Sequence, residues 1–216
     1  IIFSELSQQL LVRDYNIFFI LKATGITYGT LIIMFSNLLF KNQNTISQKS
    51  ITSIQFIKTH IFRKLFIGLF LGTYAGLLII GSFKSIGEQL AIDSKIIVFG
   101  IALFSFGNFA GRIIWGFLSD IISAQISICI ALLMQSIAIL ALNILNLADV
   151  SFLILSALIG FCFGGNFVLF AKETAQVFGL HNFGKVYPHI FLGYAIAGIT
   201  GPISGGYLFD ITDTYY

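Results

Sequence analysis

The sequence predicts an all-α membrane protein, a bundle of six transmembrane helices, and three observations carry that prediction. Of 216 residues, 57% are hydrophobic and 10% are charged, whereas a soluble domain is about 45–50% apolar and about 25% charged. A soluble fold of this composition would lack the polar surface to cover its core, and a lipid-facing surface removes that demand. Apolar runs recur at about 16–40, 65–86, 96–118, 121–145, 150–171 and 187–209. Each is near or above the roughly 20 residues that cross a ~30 Å hydrocarbon layer as a helix. No run alternates with period two, as a barrel strand must, so lipid leaves the helix as the only spanning structure.

The opening residues, IIFSELSQQLLVRDYN, have no initiator Met and no basic n-region of a signal peptide. The expectation is therefore a fragment, an incomplete bundle. Lys22 lies near the start of the first run, where its long stem can carry the ammonium to the interface. The stretch 41–64 is rich in Asn, Gln, Ser and Lys and divides the first helix from the other five. Later breaks are polar: KSIGEQLAIDSK at 84–95, SDIIS at 119–123, NLAD at 146–149, and a loop over 172–186. Five of the six helices carry glycines four apart: Gly25/Gly29, Gly68/Gly72/Gly76, Gly107/Gly111, Gly160/Gly164 and Gly201/Gly205. That spacing clears one helix face for close approach of a neighbouring backbone. Cys129 and Cys162 sit inside apolar runs without metal-ligand spacing and read as buried packing residues.

Charge sets the orientation. The 41–64 loop holds Lys41, Lys49, Lys58, Arg63 and Lys64 and no acid, and Lys172 and Lys185 fall on the same side of alternating spans. The other side has Arg13, Lys84 and Lys95 with seven acids. The positive-inside rule puts the 41–64 loop in the cytoplasm.

Arg112 is the basic residue that falls past the middle of a span, within GNFAGRIIWGFLSD. A charge at the centre of a membrane helix costs about 2.5–3.5 kcal/mol on insertion scales, and such residues face a cavity or a partner. Asn108 is one turn earlier on the same face and Ser105 about two turns earlier. Tyr74, Asn166 and Tyr194 are mid-span polar residues of other helices, each able to line a site or to bridge helices. The alternative for Arg112 is structural, with backbone carbonyls or an acid elsewhere as its partner. The acids lie in loops or at helix ends, and His60, His181 and His189 at or outside the membrane boundaries. The chain has no P-loop, GxGxxG, HExxH or nucleophile elbow. No metal, cofactor, nucleic-acid partner or enzymatic activity is expected.

GNFAGRIIWGFLSD resembles the eighth helix and its cytoplasmic end in the major facilitator superfamily, more narrowly its oxalate/formate antiporter and monocarboxylate transporter branch. The Asn-x-x-Gly-Arg element corresponds to Asn108–Arg112 and the Gly-x-x-x-Asp turn to Gly116–Asp120. FGKVYPHIFLGYAIAGITGPISGGYLFD resembles the family's eleventh helix, and GTYAGLLIIGSFKSIGEQ its seventh. The resemblance implies family helices six to eleven. Residues 1–40 then end the N-terminal half, 41–64 are the cytoplasmic linker, and 65–216 hold five helices of the C-terminal half.

The resemblance implies a secondary active transporter of small organic anions, mono- or dicarboxylates, working by alternating access in the plasma membrane, with antiport among its modes. Its partners are the anion, the lipid bilayer and the remaining N-terminal helices. Arg112, Asn108, Tyr74, Asn166 and Tyr194 become the candidate substrate contacts, and Gly116 and Asp120 the gating turn. A carrier of another small solute, or a non-transporting bundle, is the alternative. Two departures matter. After the Gly-x-x-x-Asp turn the family continues Arg-x-Gly-Arg-Arg, but here those positions read Ile121, Ser123, Ala124 and Gln125, so its gating ion pairs cannot all form. The second cation of the oxalate carriers' eleventh helix is absent near Tyr194, which favours a monocarboxylate or another small anion.

Overall fold

The computed structural model describes residues 55–144 and 149–213, with Lys22, Gly25, Ile26, Gly29, Thr30 and Met34 described singly, all six in helical conformation. Most of the 16–40 helix, the linker up to residue 54 and the NLAD stretch before Asp149 lie outside the described residues. The chain divides into two units, 1–48 and 49–216, and the second holds the continuous helices.

All regular structure among the described residues is helical. A short 3₁₀ turn, Phe56–Lys58, leads into α1 (His60–Gln89), followed by α2 (Ser94–Ile122), α3 (Ala124–Ile144), α4 (Asp149–Phe178) and α5 (Leu180–Thr212). The expected spans from 65 to 209 correspond to these five helices, and all but α3 run beyond their apolar stretches. Thr59 caps α1 by accepting from the Phe62 N–H at 3.2 Å, and Asp93 caps α2 by accepting from Lys95 N–H at 2.8 Å. Such side-chain oxygens satisfy amides that a helix start leaves unpaired.

The breaks are shorter than hydropathy implies. The expected 172–186 loop is a single residue, Gly179, between α4 and α5, and the 119–123 break is the single residue Ser123. The 84–95 break contracts to Leu90–Asp93. The reason is length: the 30 residues of α1 or α4 extend about 45 Å at 1.5 Å each, beyond a ~30 Å hydrocarbon layer. Polar ends therefore stay helical in water, and hydropathy marks only the part in lipid. α1, α2, α3 over Ala124–Leu142, and α4 are long and apolar enough to cross a membrane. α5, with Pro188, Pro202 and many small residues within it, does not reach that apolarity despite its 33 residues.

α4 is the axis of the bundle. Of its most apolar stretch 56% is buried, against 39% or less in the other three spans. It presses closest to α2, where four glycines interlock. A Cβ on Gly107 or Gly111 would overlap the carbonyl oxygens of Ala157 and Phe161, and one on Gly160 or Gly164 those of Phe104 and Asn108. The spacing of four thus brings backbone against backbone from both sides. α1 meets α5 less tightly: a Cβ on Gly193 would stand 3.0 Å from Phe66 O, and one on Gly201 3.2 Å from Tyr74 O.

Around α4 the core is aromatic and aliphatic, with Phe83, Phe104, Phe152, Ile159 and Phe163 in one cluster. Phe56, Leu69, Phe170, Val186 and Ile190 form another. Buried hydroxyls return to their own helices: Thr73 to Leu69 O, Ser156 to Phe152 O and Thr174 to Phe170 O, each at 2.6 Å. This satisfies polar groups that have no water available in lipid. Outside, the bundle shows Phe99, Phe106, Phe117, Leu133, Ile137 and Ile154, all more than half exposed, an apolar surface suited to hydrocarbon rather than water. Cys162 is buried as expected, but Cys129 is exposed, and both are free thiols. Cys129 lies on the outer side of α3, whose buried positions are Ala124, Ser127, Ala131, Gln135, Ala138 and Leu142.

Candidate functional site

Arg112 lies on α2 (Ser94–Ile122), six residues before the end of the apolar stretch at 118 and so about 9 Å inside it. Its side chain is exposed on the bundle surface. The Nε–H donates to Asn108 Oδ1 at 3.2 Å, the one-turn spacing read from the sequence. The guanidinium carbon sits 4.8 Å from the centroid of the Phe167 ring on α4. No carboxylate pairs with it among the described residues. A cation over an aromatic face gains about 0.5–1 kcal/mol when exposed and about 2 when desolvated. Phe167 and Asn108 thus offset part of an insertion cost of about 2.5–3.5 kcal/mol. With Nε occupied, the two Nη groups form the free edge, and that edge fits a carboxylate end-on.

Phe167 is held in an aromatic wall. Tyr194 meets it edge-on at 5.1 Å, Phe163 edge-on at 5.3 Å and Phe191 at 6.1 Å between centroids. Tyr187 O–H donates to Phe167 O at 3.2 Å. Tyr194 therefore reaches the Arg112 site through Phe167. Phe167, Tyr187 and Phe191 do not stand out in the sequence, which holds 24 Phe and 8 Tyr. The available signal is Phe167's place on the apolar stripe one helical turn from Phe163.

Two other candidates lie elsewhere. Asn166 is fully buried, and its Nδ2 donates to Gln135 Oε1 at 3.2 Å while Gln135 Nε2 donates to Gly72 O at 2.7 Å. This polar chain ties α4 to α3 and α1, and Asn166 is not brought to Arg112. Tyr74 is within 2.6 Å of Ser204 Oγ. Because Ser204 Oγ donates to Gly201 O at 2.8 Å, the tyrosine is the donor and bridges α1 to α5.

The expected gating turn lies at the opposite pole of α2 from Asp93. Asp120 pairs with Lys172 of α4, whose Nζ also donates to Ser119 Oγ at 2.9 Å. Next to it, Gln125 Nε2 donates to Glu173 Oε1 at 2.8 Å. Glu173 is 4% exposed and lies inside α4 rather than in a loop. The basic positions missing after Asp120 are thus answered by one cation from a neighbouring helix. Ser123 has φ 78° and ψ 150°, nearly the φ 79° and ψ 147° of Gly179. The glycine of the resembled motif falls where the chain turns through a conformation that disfavours any Cβ. Gly116 sits one turn before Asp120, its carbonyl accepting from Ser119 Oγ at 2.7 Å.

A helical bundle with an apolar exterior, interlocked glycines and helices long and apolar enough to cross a bilayer defines an integral, multi-pass membrane protein. Residues 65–216 match the Major Facilitator Superfamily, and the chain belongs to that family. It is 29% identical over 160 residues to YhjX, an uncharacterised MFS-type transporter of Escherichia coli (strain K12), covering 74% of this chain and 40% of the relative. It is 26% identical over 187 residues to the oxalate:formate antiporter of Oxalobacter formigenes, covering 82% of this chain and 44% of the relative. The chain spans less than half the length of either relative.

Proposed function

We propose that the full-length protein is a secondary active transporter of small organic anions, carrying mono- or dicarboxylates by alternating access, with exchange of one anion for another as its mode. The observation that carries this reading is Arg112: a guanidinium within an apolar span, braced by Asn108 and Phe167, with no carboxylate beside it among the described residues. A carboxylate substrate docked on its free edge supplies the missing charge, and the site lies between two halves that rock about it. Asn108, bonded to Arg112, is the second contact for that substrate, and Tyr194 acts on it through Phe167. Tyr74 and Asn166 act as helix bridges, and Gly116 and Asp120 as the turn that closes the cytoplasmic end. Lys58, Arg63, Lys64, Lys172 and Lys185 lie toward the start of α1, the end of α4 and the start of α5, which supports a cytoplasmic placement of that end. The oxalate:formate antiporter relative supports the substrate class, and the lack of a second cation near Tyr194 favours monocarboxylates.

The test is uptake of radiolabelled formate, lactate and oxalate into vesicles holding the full-length protein. Arg112→Ala inserts normally, since losing the charge eases insertion, yet loses uptake. Arg112→Lys keeps the charge without the planar fork and retains partial binding at best. Wild-type rates for Arg112→Ala with any of these anions would overturn the reading.

A further inference from the structure

A second cationic site lies at the start of α1, far along the helix from Tyr74 and independent of what the protein carries. His60, Arg63 and Lys64 line an open cavity of about 420 Å³, with Ile67 and Gly68 beside them among the described residues. These positions fall at intervals of three and four, so they form one stripe of the helix, and the stripe changes from charged to apolar within about two turns. His60, Arg63 and Lys64 are exposed, and none has an ion-pair partner among the described residues. Lys84, near the other end of α1, has one in Glu88 at 3.6 Å. The first turn of α1 contains no acid, so these cations face the positive end of the helix dipole, an arrangement that is locally unfavourable. An anion seated among them reverses the sign of that interaction.

We propose that this cavity binds the headgroup of an anionic phospholipid, with phosphate against Arg63, Lys64 and His60 and the acyl chains running down past Ile67 and Leu71. The apolar half of the cavity selects a lipid over a soluble phosphate. Ile67 is 52% exposed and Leu71, one turn deeper, 56% exposed, which continues an apolar track from the cavity into the bilayer. Gly68 takes no part in that track, because the ring of Phe170 on α4 stands where its side chain would be. Basic pockets at a membrane boundary bind anionic headgroups by this combination of charge and adjacent hydrocarbon.

The experiment is native mass spectrometry of the full-length protein in detergent with equal amounts of phosphatidylglycerol and phosphatidylcholine. The expected result is selective retention of phosphatidylglycerol. Arg63→Gln with Lys64→Gln weakens that retention about thirtyfold, from roughly 1 kcal/mol per cation. Lys84→Gln with Lys95→Gln, the same charge loss at the opposite end, leaves it unchanged. Each single variant, Arg63→Gln or Lys64→Gln, loses about fivefold and decides the matter if the double variant does not fold. Equal retention of both lipids, or equal loss in the two double variants, would reduce the site to diffuse charge and overturn the proposal. Displacement of the lipid by millimolar inorganic phosphate would assign the cavity to a soluble anion and equally sink the lipid assignment.

Discussion

Gly164 of α4 packs directly against the backbone carbonyl of Asn108 on α2, so closely that a Cβ at 164 would overlap the oxygen. The contact fixes the height of Asn108, and with it Arg112, against Phe167 three residues further along α4. Gly164→Ala is expected to lower stability by about 1–3 kcal/mol, the usual cost of overpacking, and to lower anion uptake with it. Gly198→Ala adds a methyl group where nothing lies within 4 Å and should leave the thermal midpoint unchanged or raised. Thermal unfolding of the two detergent-solubilised variants checks the pair, and equal melting would dismiss the interlock.

Ser123 and Gly179 share one backbone conformation with opposite consequences. At φ 78° the Ser123 Cβ is strained by about 1–3 kcal/mol. Its hydroxyl accepts from the Ile126 N–H only at 3.5 Å, and glycine at a helix start loses a few tenths of a kcal/mol against serine. Ser123→Gly should therefore stabilise by about 1 kcal/mol, while Gly179→Ala destabilises by a similar amount. The midpoints of the two variants, moving in opposite directions from the parent, are the readout.

The Asp120–Lys172 pair joins the end of α2 to α4, with side chains 70% and 22% exposed. An ion pair this open contributes at most about 1 kcal/mol. Asp120→Asn and Lys172→Gln should each cost that little, and the double variant no more than one of them, giving a coupling that shrinks at high salt. Additive losses in the double-mutant cycle would show that the two charges act separately.

Asn166→Ala removes the partner of a buried Gln135 and is expected to cost about 1–3 kcal/mol of stability. Because Asn166 is fully buried and reaches Gln135, the KM for anion uptake should stay at the parent value while the amount of folded protein falls. A raised KM with unchanged stability would return Asn166 to the substrate site.

The helices are legible in the sequence because their apolar stretches are set by bilayer thickness, a constraint outside the chain itself. Their ends are not: Lys172, Glu173 and Lys185 read as loop residues by hydropathy yet lie in α4 and α5, since helices continue past the lipid into water. Arg112 with Asn108 can be found because a mid-span charge is rare and its partner lies four residues away on the same helix. Phe167 and the separation of Asn166 from Arg112 cannot, because they depend on how α4 is rotated against α2. That rotation is fixed by glycines packing on backbone carbonyls at depths no hydropathy pattern records. Lys172 opposite Asp120 is hidden for the same reason: the two lie 52 residues apart.

The single-residue joints at Ser123 and Gly179 leave almost no slack, since one residue spans at most about 3.6 Å. α2 cannot slide along α3, nor α4 along α5, without tearing its joint. The four residues Leu90–Asp93 between α1 and α2 do allow travel at the far pole. Each stapled pair can therefore open only like a clasp, pivoting at the stapled pole and spreading at the other. Spin labels placed on α2 and α3 should report broad distance distributions near Ile96 and narrow ones near Ile122.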